Sequence, residues 1–383
     1  MARKTVIFPI YPTKEQEAAF LKTIYLYTMA WIYCINVAWS MKNLTKVELH
    51  KATYAAVKEN FDLLSQYICS SRDKAFEAVK SARILMRHGK KVSKPTAEMI
   101  PVRLDARTLS FDKERTTASI AAQGGRIKIP LIWHEHAKRY ESWDCKAGEI
   151  ALNNKGRWVL RLVFEKDFEM PPRTGRVFGA DRGIKHPIVL SNNKFYGERW
   201  WQEHERTILV LIAKLQSKGT KSAKRRLKKT WCRLRRFRID CDRVIIKHIF
   251  KSCEQGDTVV FENLTDIREG CGRKGKARKK HRSKIGRWSF RRQESIFSDN
   301  AEVFGVYVET VDARYTSQTC SRCNTVLKKN RKSQSLYSCS CGLKLNADLN
   351  AARNIAKKWC MANGYTSGPT VNRPIVAVSS QRS

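Results

Sequence analysis

The chain has 383 residues, enough for about two or three domains with a sizeable core, and its 75 Lys+Arg against 35 Asp+Glu give a formal charge of +40. That imbalance works against a compact fold by self-repulsion, and a polyanionic partner would offset it, nucleic acid being the usual one. An anionic membrane is the competing partner, but no uninterrupted run approaches about 18 apolar residues and the cations do not line one amphipathic surface helix.

Residues 1–10 (MARKTVIFPI) read as a strand. Charge returns too soon in MARKTVIFPIYPTKEQ for a signal-peptide apolar region. Pro12-Thr13 then opens a helix, PTKEQEAAFLKTIYLYTMAWIYCINVAW, with acidic residues in its first turns, where the helix dipole favours them. Two more helical patterns follow, near 45–60 and near 71–88. From about 107 to 166 the apolar period changes to two, in TLSFD, TASIAA, RIKIPLIW, GEIALNN and RWVLRLVFEK. Gln123-Gly124-Gly125 and Asn153-Asn154-Lys155-Gly156 are turn signals between them. The pattern predicts a small antiparallel β unit, barrel-like, with a helical insertion after its first strand.

Pro171-Pro172-Arg173-Thr174-Gly175 reads as a linker. The strand VFGAD then ends in Asp181, and HPIVLS and a short FYG follow. A long basic helical region covers about 200–255, and DTVVFENL is a buried strand carrying Glu262. A Gly/Lys/Arg loop, a helix near 289–304, the strand VYVETVD, a cysteine cluster and a last helix complete an α/β unit with a small cysteine-rich insert. The tail beyond about 358 is polar.

Of twelve cysteines, only Cys320, Cys323, Cys339 and Cys341 cluster. A Cys-x2-Cys pair and a Cys-x-Cys pair can each form a knuckle, and four thiolates suit one tetrahedral Zn²⁺. With every position filled by sulfur, such a zinc is structural. The scattered remainder fits reduced thiols, so the expected setting is the cytoplasm, in association with the nucleoid.

Asp181 and Glu262 stand at strand ends. Asp348 opens a helix whose face Asp348, Ala351, Ala352, Ile355 follows the helical period. Singly, each has a plain reading: a turn former, a solvated charge, a helix cap or dipole partner. Together they form a constellation, because converging carboxylates repel unless cations bridge them. Two Mg²⁺ roughly 4 Å apart would suit in-line attack on a phosphodiester.

Two runs, KRRLKKTWCRLRRFR (224–238) and RKGKARKKHRSKIGRWSFRR (273–292), are dense in cations. Lys224, Arg225, Arg226, Lys228, Lys229, Arg235 and Arg236 in the first, and Arg278, Lys279, Lys280 and Arg282 in the second, are candidate phosphate contacts. A solvated charged face is the alternative for each. His134-Glu135-His136 is not taken as a metal pair, because a histidine pair of that kind wants an apolar residue between its members.

GADRGIKHPIVLS, VVFENLTDIR and NADLNAARNI, with YTSQTCSRC before the last, resemble the three RuvC motifs and the zinc ribbon of the TnpB family. These are transposon-encoded proteins related to compact type V CRISPR effectors. The resemblance implies an RNase H-like (RuvC) α/β nuclease core with an inserted zinc ribbon, and an N-terminal wedge-type β-barrel carrying a helical recognition insert. The implied boundaries are 1–15 and 105–170 for the wedge, 16–104 for the insert, 175–314 and 346–360 for the nuclease, 315–345 for a target-binding ribbon and 361–383 for a tail. It places the catalytic, Mg²⁺-binding acids on Asp181, Glu262 and Asp348. Asn346 stands where many members have a second Asp. The implied activity is RNA-guided DNA endonuclease, with a guide RNA and a target DNA as partners and a short flanking motif read by the protein. The rival expectations are an RNA-guided repressor without cleavage, an unguided resolvase-like nuclease, and a compact CRISPR effector in place of a transposon protein. No self-complementary patch is legible, so the oligomeric state stays open.

Overall fold

The computed structural model describes residues 1–265, 290–333 and 335–365. The chain divides into two units, one comprising Arg3–Asp167 and the other running from Phe168 onward.

The first unit begins with β1 (Ala2–Pro9) and three helices, α1 (Lys14–Ser40), α2 (Lys46–Asn60) and α3 (Ser65–Arg87). Thr13 caps α1 in a reciprocal box with Gln16, and Thr45 caps α2 through the Glu48 amide. Both starts were legible because Thr precedes the apolar period. The third was not: α3 begins six residues before the expected start, behind Leu64, whose side chain makes no capping bond. α1 and α3 pack through Tyr27 and Tyr67, edge to face with centroids 6.0 Å apart. By length and composition α1 could cross a membrane; half of its most apolar stretch is buried inside the unit, as for a core helix.

The strands are β2 (Val102–Leu104), β3 (Leu109–Phe111), β4 (Thr117–Ala122), β5 (Gly125–Pro130), β6 (Asp144–Leu152) and β7 (Trp158–Lys166), with a short α4 (Glu135–Lys138). They form a four-stranded sheet of order β1-β7-β6-β2 and a three-stranded sheet β3-β4-β5. β2, three residues long, lies inside the span read from the sequence as helical insert. Gln123 and Gly124 make the two-residue β4–β5 hairpin turn, and Gly124 (φ +91°) and Gly125 (φ +136°), the first residue of β5, take conformations other residues resist. Along β7, buried Leu160, Leu162 and Phe164 alternate with less buried Arg161 and Val163, the period of a half-covered sheet.

The second unit contains β8 (Val177–Asp181), β9 (Ile188–Leu190), β10 (Phe195–Tyr196), α5 (Arg199–Lys218), α6 (Lys221–Phe250), β11 (Thr258–Asn263), α7 (Phe290–Phe304), β12 (Tyr307–Asp312), β13 (Tyr337–Ser338), β14 (Lys344–Leu345) and α8 (Ala347–Ala362). Its main sheet has the order β10-β9-β8-β11-β12. The first three strands are antiparallel, and β8, β11 and β12 run parallel. The basic region expected as one helical stretch is two helices, broken at Gly219 in the left-handed conformation (φ +63°).

Helices cover both faces of the middle of this sheet, so β8, β9 and β11 are buried along almost their whole length, while the edge strand β12 is not. On one face Phe178, Ala180 and Phe261 meet Ile245, Ile249 and Phe250 of α6 and Phe297 of α7. On the other, Val177 and Val260 meet Ile355, Ala356 and Trp359 of α8. Gly179 sets that second contact. A Cβ there would lie 2.0 Å from the Ala352 carbonyl oxygen and 2.5 Å from the Ala356 nitrogen, so glycine lets α8 rest directly on β8.

Candidate active site and metal centre

β8 and β11 pair in parallel with Phe261 opposite Ala180, so one further step brings Glu262 level with Asp181. Gly179 and Val260 face α8, and the alternation of a strand turns Asp181 and Glu262 toward the same side. Asp348 lies one helical turn before Ala352, the residue against Gly179. Glu262 and Asp348 are 7% and 5% exposed, which for ionisable side chains calls for partners.

Burial raises the pKa of Asp181 well above the usual carboxylate range, and the charges of Glu262 and Asp348 add to that rise, against the pull of Arg331 and Arg182. Burial also raises Glu262, opposed by the Thr316 hydrogen bond and then by Arg182 and Arg331. Asp348 is raised by burial and eased mainly by Arg331. Three acids from remote parts of the chain thus share one electrostatic neighbourhood.

The groups around them are specific. Arg331, in the cysteine-rich insert, donates to Asp348 Oδ1 at 3.3 Å. Thr316 Oγ1 donates to Glu262 Oε1, and Arg182 Nη2 donates to the Glu262 carbonyl. Arg182 Nη1 donates to the Phe290 carbonyl (2.9 Å) and to Glu294 (2.8 Å), tying α7 to the carboxylate end of the sheet. Asn346 is the N-cap of α8: its Oδ1 accepts from the Asp348 and Leu349 amides at 2.9 and 3.3 Å. The capping reading for Asp348 therefore belongs to Asn346, while Asp348, in the first turn, keeps a position favourable to the helix dipole. Thr316 sits within the run YTSQTC, but nothing in the period or spacing marks it or Arg331 as neighbours of the acids.

The four cysteines come together. Cys320 and Cys341 have their sulfurs 3.6 Å apart, as do Cys323 and Cys339, and all four donors lie within 4.8 Å of one another. Metal–sulfur bonds of about 2.3 Å in a tetrahedron require sulfur separations near 3.8 Å, so the set fits one tetrahedral metal ion. Gly342 (φ +85°) donates its amide to the Cys339 carbonyl at 3.0 Å, closing the knuckle, and Asn330 Nδ2 approaches the Cys339 sulfur at 3.5 Å. Among the described residues this is the one group of three or more His, Cys, Asp or Glu whose donors gather so tightly; the carboxylates stand further apart.

Lys224, Arg225, Arg226, Lys228, Lys229, Arg235 and Arg236 are all exposed on α6. The helix is held by packing on α5, where Ile208 and Ile212 meet Leu234. Arg278, Lys279, Lys280 and Arg282 lie outside the described residues. His134 caps α4, its Nδ1 accepting from the Ala137 amide at 3.3 Å while Nε2 lies 3.2 Å from the Ile7 carbonyl. A cavity of ≈ 550 Å³ between α5, α6 and the loop after β8, lined by Trp201, Phe237 and Arg206, includes none of the three carboxylates.

With this geometry the chain can be set beside known proteins. Residues 290–355 match the family model "Cas12f1-like, TNB domain". A CRISPR-associated endodeoxyribonuclease Cas12f2 of Micrarchaeota archaeon (strain CG1_02_47_40) is 34% identical over 300 residues, covering 67% of this chain and 53% of that protein. A TnpB-like protein of Aquifex aeolicus is 33% identical over 129 residues, 33% of this chain and 40% of that protein. The chain is a relative of TnpB-like and Cas12f proteins. It spans about half, or less, of the length of the curated relatives it matches. The cryo-EM structure of a Cas12f1–sgRNA–target DNA complex superposes with a TM-score of 0.60 at 14% identity, covering 92% of this chain and 98% of that one. That likeness is one of fold.

Proposed function

We propose that this chain is an RNA-guided DNA endonuclease whose RuvC-like site hydrolyses phosphodiesters with Mg²⁺. The observation that carries the reading is the meeting of Asp181, Glu262 and Asp348, each from a different element and each raised in pKa by shared burial, with mutual repulsion prominent at Asp181. Gathered buried acids repel unless a proton or a cation compensates them, and a bound divalent cation would do so while leaving all three ionised. The sheet order, three antiparallel strands followed by two parallel ones, supports an RNase H-like core.

Hard carboxylate oxygens suit Mg²⁺, and Asp181, Glu262 and Asp348 would hold it; when bound it stabilises charge on the phosphoryl oxygens and activates water. The chain's own groups do the rest. Arg331 brings a guanidinium to the carboxylates, where it can meet a phosphate oxygen. Arg182 and Thr316 fix Glu262 from its backbone and from its side chain. Asn346 holds the first turn of α8, and with it Asp348. In the ribbon, Cys320, Cys323, Cys339 and Cys341 would hold Zn²⁺, a structural role because sulfur fills the tetrahedron. The exposed cations of α6 track a phosphate backbone, and base pairing to a guide RNA supplies sequence choice. The first unit corresponds to the wedge and helical insert of the TnpB architecture, and the protein acts in the cytoplasm at the nucleoid.

Two features support RNA guidance: the relationship to Cas12f proteins, and an N-terminal unit that an unguided nuclease does not need. The test is to purify the chain with its co-expressed flanking RNA, sequence that RNA, and assay a plasmid library with randomised flanks in Mg²⁺. Cleavage next to a fixed flank, lost when the RNA is removed, is expected. Cleavage unchanged without RNA overturns the guided reading.

A further inference from the structure

Where β12 leaves the sheet, the chain turns back on itself. β12 lies beside β11 in parallel, with Val311 opposite Glu262, so the strand ends next to the carboxylate. Tyr315 then takes a left-handed backbone (φ +67°), a conformation bulky residues avoid and keep where the surroundings demand it. The turn buries Thr316, which is 4% exposed, against Glu262. Thr316 Oγ1 lies within hydrogen-bond reach of two acceptors, the Ala313 carbonyl at 2.9 Å and Glu262 Oε1. One hydroxyl hydrogen serves one of them, and an ionised carboxylate attracts it more strongly than a neutral carbonyl.

The segment is pinned from the other side by α8. Asn354 Nδ2 donates to the carbonyls of Thr316 (2.8 Å) and Thr319 (2.6 Å). Asn350, fully buried, donates to the Thr319 carbonyl (2.7 Å) and accepts from the Ser321 amide (3.0 Å). The next residue in the chain after Thr319 is Cys320. The same helix that carries Asp348 therefore fixes both the hydroxyl on Glu262 and the first cysteine of the metal knuckle.

We propose that Thr316 is a positioning residue for Glu262, and that the Thr316–Ser321 segment, clamped by Asn350 and Asn354, makes divalent-cation binding at the carboxylates depend on an intact cysteine centre. The proposal rests on the reading of Asp181, Glu262 and Asp348 as cation ligands. Outer hydrogen bonds of this kind orient a ligating oxygen, and losing one typically weakens metal affinity about 10- to 100-fold. Asn354 acts one step further out: it holds the backbone that presents the hydroxyl.

The test is Mn²⁺ binding to the full-length protein, read from the free-ion electron paramagnetic resonance signal, with thermal melting and zinc content measured alongside. Thr316→Val keeps the shape and removes the hydroxyl; it should weaken Mn²⁺ binding at least about tenfold while zinc content and melting stay close to the parent. Thr316→Ser restores the hydroxyl and should recover most of the lost affinity. Asn354→Leu should weaken Mn²⁺ binding in the same direction, and removal of the cysteine-bound metal from the parent should do likewise. If Thr316→Val does not fold, Thr316→Ala takes its place with the same expectation. Parent-like Mn²⁺ affinity in the hydroxyl-free variant, or equal loss in Thr316→Ser, overturns the positioning role; parent-like affinity after metal removal overturns the coupling. An Asp181→Asn control separates the two levels. If it abolishes Mn²⁺ binding while Thr316→Val does not weaken it, only the present inference fails. If the parent shows no binding that depends on Asp181, the carboxylate reading fails as well.

Discussion

Asp181 pays for its position in stability. Burial and the charges of Glu262 and Asp348 raise its pKa, so the folded chain binds more protons than the unfolded one between the ordinary value and the raised one. In that window stability falls as pH rises. Without divalent cations, the melting temperature of the parent relative to Asp181→Asn should therefore decline from about pH 4 upward. Asp181→Asn should melt higher than the parent near pH 7, by about 2–4 °C per kcal/mol of relief. Scanning calorimetry across that range checks this, and a lower melting temperature for Asp181→Asn contradicts it. Mn²⁺ should raise the melting temperature of the parent and leave Asp181→Asn unmoved. Asn346 makes a contrasting case. As the α8 cap its replacement by Ala should cost about 1 kcal/mol of stability while Mn²⁺ binding persists; a chemical-denaturation curve and the same ion titration separate cap from ligand.

At the scale of elements, α8 is the part on which the site depends. It rests on β8 through Gly179, presents Asp348 at one end and clamps the ribbon through Asn350 and Asn354. Gly179→Ala touches none of the proposed ligands, yet its methyl would meet helix backbone, which cannot rotate away. Overpacking of this kind costs about 1–3 kcal/mol, and a displaced α8 would carry Asp348 with it. We expect lower stability in denaturant and slower cleavage together; full activity would show that α8 need not sit so close. In the ribbon, Cys339→Ser should drop zinc from about one ion per chain and slow cleavage, although no carboxylate changes. Elemental analysis with a cleavage assay checks both.

Much of this arrangement was legible because it is local. Thr13 and Thr45 announce their helices, Gly124-Gly125 announces a hairpin, and the spacing of the four cysteines announces a common centre. The acids stood out through strand ends and a helix start. What was not legible depends on tertiary contact. Leu64 gives no start signal, so the sequence pattern places the start of α3 near 71 and the structure at Ser65. β2 is three residues long and is a strand only because β6 lies beside it. Arg331 reaches Asp348 from 17 residues upstream because the ribbon folds back, and Thr316 reaches Glu262 from 54 residues away in sequence. Pattern does not carry information of that kind.

At the scale of the whole molecule, the charge of +40 and the exposed cations of α6 should make the proposed binding to nucleic acid salt-dependent. Replacing Lys228 or Arg235 by Ala should weaken binding about equally across sequences and lower the slope of log affinity against log salt by about one for each phosphate no longer neutralised. Fluorescence anisotropy at several salt concentrations reads this, and an unchanged slope would mark the residue as merely solvated. The central claim is that Asp181, Glu262 and Asp348 together hydrolyse a phosphodiester. Its most direct measurement is Mg²⁺-dependent cleavage of target plasmid by the RNA-loaded parent and by Asp181→Ala, Glu262→Ala and Asp348→Ala, each shown to retain RNA. The account predicts cleavage by the parent and its loss in all three variants; cleavage surviving in any one of them would contradict it.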